Sequence, residues 1–181
     1  MGFRKKRRSK MTLWDRALYY QSVREHSRHE LFQKFKKLDS ETEDDEINKV
    51  LDRLVDRAFQ SDLKYFDSRV RVLLLRRWGP HKIKAALMKA KVPWNEERFV
   101  KLREELGESE SLRRQMSDLL DKKIRSTPVQ RFIDESNLNE YSASQKLQEK
   151  LLRFLASRGF SPSEAFRIVR EKVENIKPSE N

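Results

Sequence analysis

Large apolar residues recur along the chain at the spacing of amphipathic helices, and this pattern itself repeats. When the first third of the sequence is moved forward by 52 positions, Leu31 falls on Ile83 and Ile47 falls on Phe99. Three successive helical segments match at this one shift, which argues against a chance alignment. Because each segment is apolar on one side only, it must pack against a neighbour, and the repeat predicts tandem helical units.

A second shift, of about 67 positions, places Phe99 on Phe166 and Leu102 on Val169. The extra length falls in a polar stretch at residues 127–141. We therefore predict an all-α fold of three tandem three-helix units, stacked as an elongated, curved array in which each unit contacts its neighbours. The predicted boundaries are residues 12–60, 61–107 and 108–176, with the insertion at 127–141 and disordered tails at 1–11 and 177–181.

Capping residues predict where the helices begin and end. Thr12 with Asp15, and Ser27 with Glu30, have the spacing of a capping box, and a similar start is predicted at residues 42–45. Further signals are the starts at Gly79-Pro80, Asn95, Ser144 and Ser161-Pro162, and the stops at Gly107 and Gly159. The stripes predicted to face inward include Leu31, Phe35, Leu38, Ile47, Leu51, Leu54, Val55, Leu63, Phe66, Val70, Ile83, Leu87, Ala90, Phe99, Leu102, Leu151, Leu155, Phe166, Val169 and Val173.

Composition excludes several classes of protein. The absence of cysteine excludes disulfides, thiolate zinc sites, iron–sulfur clusters and a cysteine nucleophile, and it fits the cytoplasm. The longest apolar run has four residues, so we expect no membrane association, and the basic start lacks the apolar stretch of a secretory signal. His26, His29 and His81 are expected to be surface or capping residues. With no glycine-rich phosphate loop and no nucleophile elbow, we predict no catalytic residue, metal or cofactor.

Positive charge is concentrated in one part of the chain. The net charge is +12, and residues 62–91 contain nine basic and two acidic residues, after an acidic segment at 39–56. Helical spacing of seven places Arg69 with Arg76, Lys82 with Lys89, and Lys84 with Lys91 on shared faces. Such rows favour phosphates or an acidic protein surface, although a solvated face is the alternative.

The candidate partner-binding residues are Arg69, Arg71, Arg76, Arg77, Lys82, Lys84, Lys89 and Lys91. The basic N-terminal segment is a candidate for auxiliary, salt-dependent contact with nucleic acid, although it could also serve as a solubilising tail. Its residues are Arg4, Lys5, Lys6, Arg7 and Arg8.

Four segments, in the right order, resemble the bacterial RecX regulators. Residues 24–31 (REHSRHEL) are similar to the family's R-x-H-S-x-x-E-L, and residues 58–66 (AFQSDLKYF) lie where the family has a glycine, two aspartates and R-F-A. Residues 76–87 (RRWGPHKIKAAL) resemble its G-x-G-P-x-R-I-x-x-E-L, and residues 153–168 resemble its closing helix pair. The resemblance covers residues 13–173. Ala58, Ser61, Ala86 and Lys91 depart from the family pattern, with Ala58 and Lys91 standing where it has glycine.

The resemblance implies a regulator that binds RecA and its filaments on DNA. Proteins of this family lodge in the filament groove and inhibit recombinase, ATPase and co-protease activity, which modulates recombination and the SOS response. The expected partners are the RecA filament and single- or double-stranded DNA, and we expect the regulator to be a monomer and not an enzyme. Two alternatives stay open: a helical nucleic-acid-binding protein unrelated to RecA, and an assembly scaffold.

Overall fold

The computed structural model describes residues 11–107, 112–126 and 140–175. Within these ranges the chain forms nine α-helices and no strand, which confirms the predicted all-α class. The helices are α1 (Leu13–Val23), α2 (Arg28–Leu38), α3 (Asp44–Asp56), α4 (Asp62–Leu75), α5 (Pro80–Lys89), α6 (Glu96–Glu105), α7 (Leu112–Arg125), α8 (Glu140–Arg158) and α9 (Pro162–Glu174).

The strongest sequence signals for helix ends are confirmed. The Thr12 hydroxyl accepts a hydrogen bond from the Asp15 amide, and the Asp15 carboxylate accepts one from the Thr12 amide. At the start of α6, the Asn95 side-chain oxygen accepts a hydrogen bond from the Arg98 amide at 2.9 Å. These side chains satisfy backbone N–H groups that the first turn of a helix leaves without a partner.

Three predicted helix starts are wrong in detail. The N-cap of α3 is Glu43, and no side chain caps it. Helix α8 begins at Glu140, inside the predicted insertion and four residues before Ser144. Ser27 caps α2 through the Glu30 amide, but the Glu30 carboxylate accepts hydrogen bonds from other residues and does not complete a capping box.

The described residues form two compact units. The first contains the residues up to Arg69 together with Leu87–Pro93, and the second contains Val70–Ala86 together with the residues from Trp94 onward. The residues of the predicted middle repeat are therefore divided between the two units.

Each unit has its own apolar core. In the first unit, α1, α2 and α3 pack together around Ala17, Leu31, Phe35, Ile47, Leu51 and Leu54. In the second unit, α7, α8 and α9 pack around Met116, Leu120, Leu147, Leu151, Leu155, Phe160, Ala165, Ile168, Val169 and Val173. These residues recur at helical spacing, which is why the stripes predicted from the sequence contain Leu31 and Phe35 of the first core and Leu151 and Leu155 of the second.

Four residues predicted to face inward are exposed instead: Leu38, Val55, Leu63 and Phe166. Phe166 is 52% exposed because α9 aligns with α6 at a shift of 66 positions, from Asn95 to Ser161, and not 67. At that shift the buried Ala165 corresponds to Phe99. A shift of one residue turns a side chain by about 100° around the helix, far enough to leave the core.

Five helices end with a residue at positive φ, and three of these residues are not glycine. Ala58, Arg77 and Lys91 have φ of 56°, 58° and 57°, beside Gly107 and Gly159 at 68° and 86°. After α3, the Ala58 amide bonds the Val55 carbonyl and the following amide bonds the Leu54 carbonyl. This paired arrangement satisfies the last carbonyls of the helix. Where the resemblance placed glycine, Ala58 and Lys91 therefore keep the glycine conformation at the cost of strain.

Candidate functional site

The eight candidate basic residues lie on α4, on the turn that follows it, on α5, and, in the case of Lys91, on the turn after α5. Five of them belong to the second unit: Arg71, Arg76, Arg77, Lys82 and Lys84. The other three belong to the first unit: Arg69, Lys89 and Lys91. The five auxiliary residues, Arg4, Lys5, Lys6, Arg7 and Arg8, lie outside the described residues.

Two of the candidates already have partners within the second unit. Arg71 forms an ion pair with Glu105, with 2.7 Å between Nη2 and Oε2. The Lys82 ammonium donates to the Ser157 carbonyl at 2.8 Å and lies 4.4 Å from the centre of the Trp78 ring. The charge of Arg71 is thus paired with that of Glu105. Lys82 bonds a carbonyl in the last turn of α8, where a cation is favourable.

The other candidates of the second unit are more accessible. Arg76, Arg77 and Lys84 are exposed. The Lys84 ammonium lies 4.9 Å from the centre of the Trp94 ring, a distance at which a cation is attracted to the aromatic face. Neither Trp78 nor Trp94 was predicted as part of the site, because each lies just before a helix, where helical spacing gives no signal.

In the first unit, Lys89 and Lys91 are exposed, whereas Arg69 is half-buried. The Nε of Arg69 is buried and has no hydrogen-bond partner among the described residues. Spacing alone therefore identified residues on helix surfaces, but it did not distinguish an accessible cation from one packed against the protein.

A close backbone junction fixes the basic turn of the second unit. The Gly79 amide donates to the Arg158 carbonyl at 2.8 Å, and the His81 amide donates to the Gly159 carbonyl at 3.0 Å. The Arg158 guanidinium in turn donates to the Arg76 carbonyl at 3.2 Å. The N-terminus of α5 thus meets the C-terminus of α8, so the unpaired N–H groups of one helix bond the unpaired carbonyls of the other.

The first unit contains the corresponding junction at the other end of α5. The Ser27 hydroxyl, at the N-terminus of α2, donates to the Ala90 carbonyl at 2.9 Å. The Arg28 amide donates to Asp62 at 2.8 Å. The shift of 52 positions aligns Ser27 with Gly79, so the same place in two successive repeats bonds the end of a later helix.

A group of titratable residues stabilises the first unit around the start of α2. Burial tends to raise the pKa of Glu30, but the hydrogen bonds from Arg24 and Tyr65 outweigh it and hold that pKa below its usual value. Burial, the Glu30 charge and the hydrogen bond together raise the pKa of Tyr65 to about 12. The Tyr65 hydroxyl donates to Glu30 at 3.0 Å, so this residue, which the predicted stripe left out of the core, is an internal contact.

The prediction that the histidines are surface or capping residues is wrong for His26, which is buried. His26 is 2% exposed, its Nδ1 lies 2.9 Å from the Arg24 carbonyl oxygen, and burial followed by the Arg24 charge lowers its pKa. His29 is half-buried, whereas His81 is exposed. Across the described ranges, no group of three or more histidine and carboxylate side chains is placed to hold a metal ion. None of the described helices is long and apolar enough to cross a membrane.

These features define an all-α helical-repeat protein with accessible cations around α4 and α5. Its fold matches that of RecX from Lactobacillus salivarius, known from a crystal structure, with a TM-score of 0.58 and 23% sequence identity over 88% of this chain and 93% of that one. It also matches the crystal structure of a regulatory protein RecX, with a TM-score of 0.57 and 18% identity over 88% and 70% of the two chains. No family model and no curated protein matches in sequence. The resemblance to RecX is confirmed at the level of the fold.

Proposed function

We propose that the protein is a RecX-type regulator that binds RecA filaments on DNA and inhibits their recombinase, ATPase and co-protease activities. The observation that carries the proposal is a RecX fold that extends over 88% of this chain and 93% of a RecX chain. The four sequence segments with RecX-like motifs support it independently. In this role the protein acts in the cytoplasm by binding alone and modulates recombination and the SOS response.

The accessible cations are the surface that we assign to the partner. They are Arg76, Arg77, Lys84, Lys89 and Lys91, all exposed. We assign Arg71 and Lys82 a supporting role, because both already bond groups of their own unit. Exposed cations contribute little to folding, so their concentration is better explained by acidic side chains or phosphates of a partner.

A charge variant tests this assignment. The quadruple variant R76Q/K84Q/K89Q/K91Q removes four exposed cations from the candidate surface. The matched control K37Q/K49Q/K101Q/K146Q removes four exposed cations from other helices, so both variants have the same net charge. Binding to RecA–single-stranded DNA filaments and to bare single-stranded DNA is measured for each variant over a range of salt concentrations.

We expect the surface variant to bind filaments about tenfold more weakly or worse, and the control to bind like the parent protein. The dependence of log K on log salt should become shallower by about one unit for each phosphate contact that is lost. Both variants should melt close to the parent temperature, because exposed charges are worth under about 1 kcal/mol each. Equal filament binding by the two variants would mean that the partner binds a different part of the protein.

One observation favours a second candidate function, direct binding of nucleic acid without RecA. The pairs of Lys82 with Trp78 and of Lys84 with Trp94 place cations beside aromatic rings, a combination that nucleic-acid-binding surfaces use. Tight binding to bare DNA, with no preference for filaments and no effect on them, would favour this candidate. Failure to bind either would favour a scaffold.

A further inference from the structure

A small cavity lies in the second unit, beside α7. Its volume is about 130 Å³. Its polar lining residues are Arg77, Gln115, Asp118, Asp121, Lys122 and Arg125. Of these, only Arg77 belongs to the candidate surface identified from the sequence, so the cavity is a feature that helical spacing did not predict.

Positive charge is in excess around this cavity. Arg77, Lys122 and Arg125 contribute three cations, against the carboxylates of Asp118 and Asp121. The Asp121 carboxylate is already neutralised, because Lys172 donates to both of its oxygens at 2.6 and 2.8 Å. Among the described residues that line the cavity, Asp118 alone is then left to balance Arg77, Lys122 and Arg125. This excess of positive charge favours an anionic group.

Gln115 points independently to a polar occupant of this cavity. Its side chain lines the cavity and is 5% exposed, and neither its amide oxygen nor its amide nitrogen has a hydrogen-bond partner among the described residues. A buried amide without partners is costly, and nearly all such groups in folded proteins are satisfied by protein, water or a ligand. The amide can donate to an oxyanion and so complement the three cations.

The backbone of Arg77 is strained at the same place. Its φ is 58°, a conformation that side chains other than glycine adopt at a cost. The Arg77 amide bonds the Leu74 carbonyl at 2.7 Å, so the ordinary helix-ending bonds hold this conformation. Glycine would serve the backbone better, whereas arginine adds a cation to the cavity.

We propose that this cavity binds a single phosphate group, held by Arg77, Lys122 and Arg125 with the Gln115 amide as a neutral donor. Arginine forms forked hydrogen bonds with phosphate oxygens, and lysine adds a point charge. The volume admits one phosphate group and a few water molecules, but it is well below the roughly 300 Å³ that pockets for larger organic ligands provide. The phosphate is therefore either a free ion or one group of a longer molecule that extends outside.

Nuclear magnetic resonance on the full chain tests this site directly. Inorganic phosphate is added to ¹⁵N-labelled protein at constant ionic strength, with sodium chloride as the balancing salt. The Gln115 side-chain amide and the backbone amides of Lys122 and Arg125 should shift in a saturable way. A parallel titration with oligothymidylate shows whether a backbone phosphodiester occupies the same site, because it should then produce and compete for the same shifts.

Two variants and one control make the result specific. K122Q/R125Q should weaken phosphate binding about tenfold or more, because two charge-assisted hydrogen bonds are lost. K101Q/K146Q removes the same charge from exposed positions outside the cavity and should bind like the parent. R77G removes the third cation and relieves the positive φ, so it should weaken binding while the protein stays folded.

The proposal is overturned if no saturable shift of the α7 amides occurs, if chloride alone produces it, or if the cavity variants bind phosphate like K101Q/K146Q. Saturation by inorganic phosphate alone supports a site for the free ion, and saturation by both probes supports a site for a nucleic-acid backbone. The measurement requires no RecA, so its failure would leave the proposed regulatory function intact.

Discussion

Single residues at helix ends show how this chain departs from the glycines that its resemblance implies. Ala58 follows α3 with a φ of 56°, although glycine would adopt that angle without a steric penalty. The left-handed conformation costs a residue with a Cβ about 1–2 kcal/mol, whereas glycine costs about 0.5–1 kcal/mol in chain entropy. The steric cost of alanine exceeds the entropic cost of glycine, so glycine at position 58 should make the protein more stable.

We therefore predict that Ala58→Gly raises the free energy of unfolding by about 0.5–1 kcal/mol in denaturant melts. The control is Ala85→Gly, at an exposed position inside α5, which should lower that free energy by about 1 kcal/mol. Equal destabilisation by the two substitutions would mean that Ala58 is not strained.

His26 gives the first unit a dependence on pH. Burial and the Arg24 charge lower its pKa from 6.5, with a smaller contribution from Lys34, while the Arg24 carbonyl and Glu30 oppose the shift. The unfolded chain then binds the proton more readily than the folded chain does. Stability is therefore complete above the unfolded pKa and is lost as the pH falls through about 6.5 toward the folded value.

Denaturant melts between about pH 7.5 and pH 5.5 should show this loss in the parent protein. In His26→Gln the overall stability should be lower, but the slope across that range should decrease, because the group whose pKa folding lowers is gone. A slope that persists unchanged in the variant would assign the titration to another group.

At the level of helices, the close junction at the start of α5 belongs to the second unit. An added Cβ on Gly79 would lie 2.4 Å from the Gly159 carbonyl oxygen and 2.8 Å from the Phe160 amide nitrogen. Both are backbone atoms and cannot move aside alone. Gly107 offers a matched comparison, because an added Cβ there meets nothing within 4 Å.

Gly79→Ala should therefore destabilise the second unit by about 1–3 kcal/mol or more, the range for overpacking a close contact. Gly107→Ala should cost only about 1 kcal/mol, from its positive φ. The comparison is made by thermal and denaturant melts of both variants. If Gly79→Ala were as stable as the parent, the junction would not be close.

Helical periodicity in the sequence predicted the helices well, but it predicted few of the contacts between helices. Ile83, Leu87 and Ala90 were predicted to face inward and are buried, because helical periodicity alone decides that side of α5. Leu63 lies at the edge of its stripe, where apolar character does not decide burial. The bond from Ser27 to Ala90 joins residues 63 positions apart, and such contacts depend on tertiary packing.

At the candidate site, too, the sequence identified the residues on helix surfaces but not their contacts. Charge and spacing identified Lys84 and Lys89, which are exposed, but they could not show that Glu105, 34 positions along the chain, neutralises Arg71. Gln115 and the cavity beside α7 had no signal in the sequence, because a lone glutamine in a helix is usually solvated. Gln115 indicates a binding site only because the structure buries its amide without a hydrogen-bond partner among the described residues.

At the level of the whole molecule, the fold and the charge are both compatible with the proposed regulator. The net charge of +12 favours association with polyanions but does not select among them. We propose that the protein selects the RecA filament, and the match of its fold to RecX over 88% of the chain supports this proposal. Several weak contacts along a filament would add to a tight interaction, because each one raises the effective concentration of the next.

ATP hydrolysis by RecA on single-stranded DNA, followed as this protein is added, tests that claim most directly. We predict inhibition at fewer than one molecule per RecA subunit, with K37Q/K49Q/K101Q/K146Q as active as the parent and R76Q/K84Q/K89Q/K91Q much weaker. Hydrolysis that continues unchanged at a molar excess of the folded protein over RecA would contradict the account.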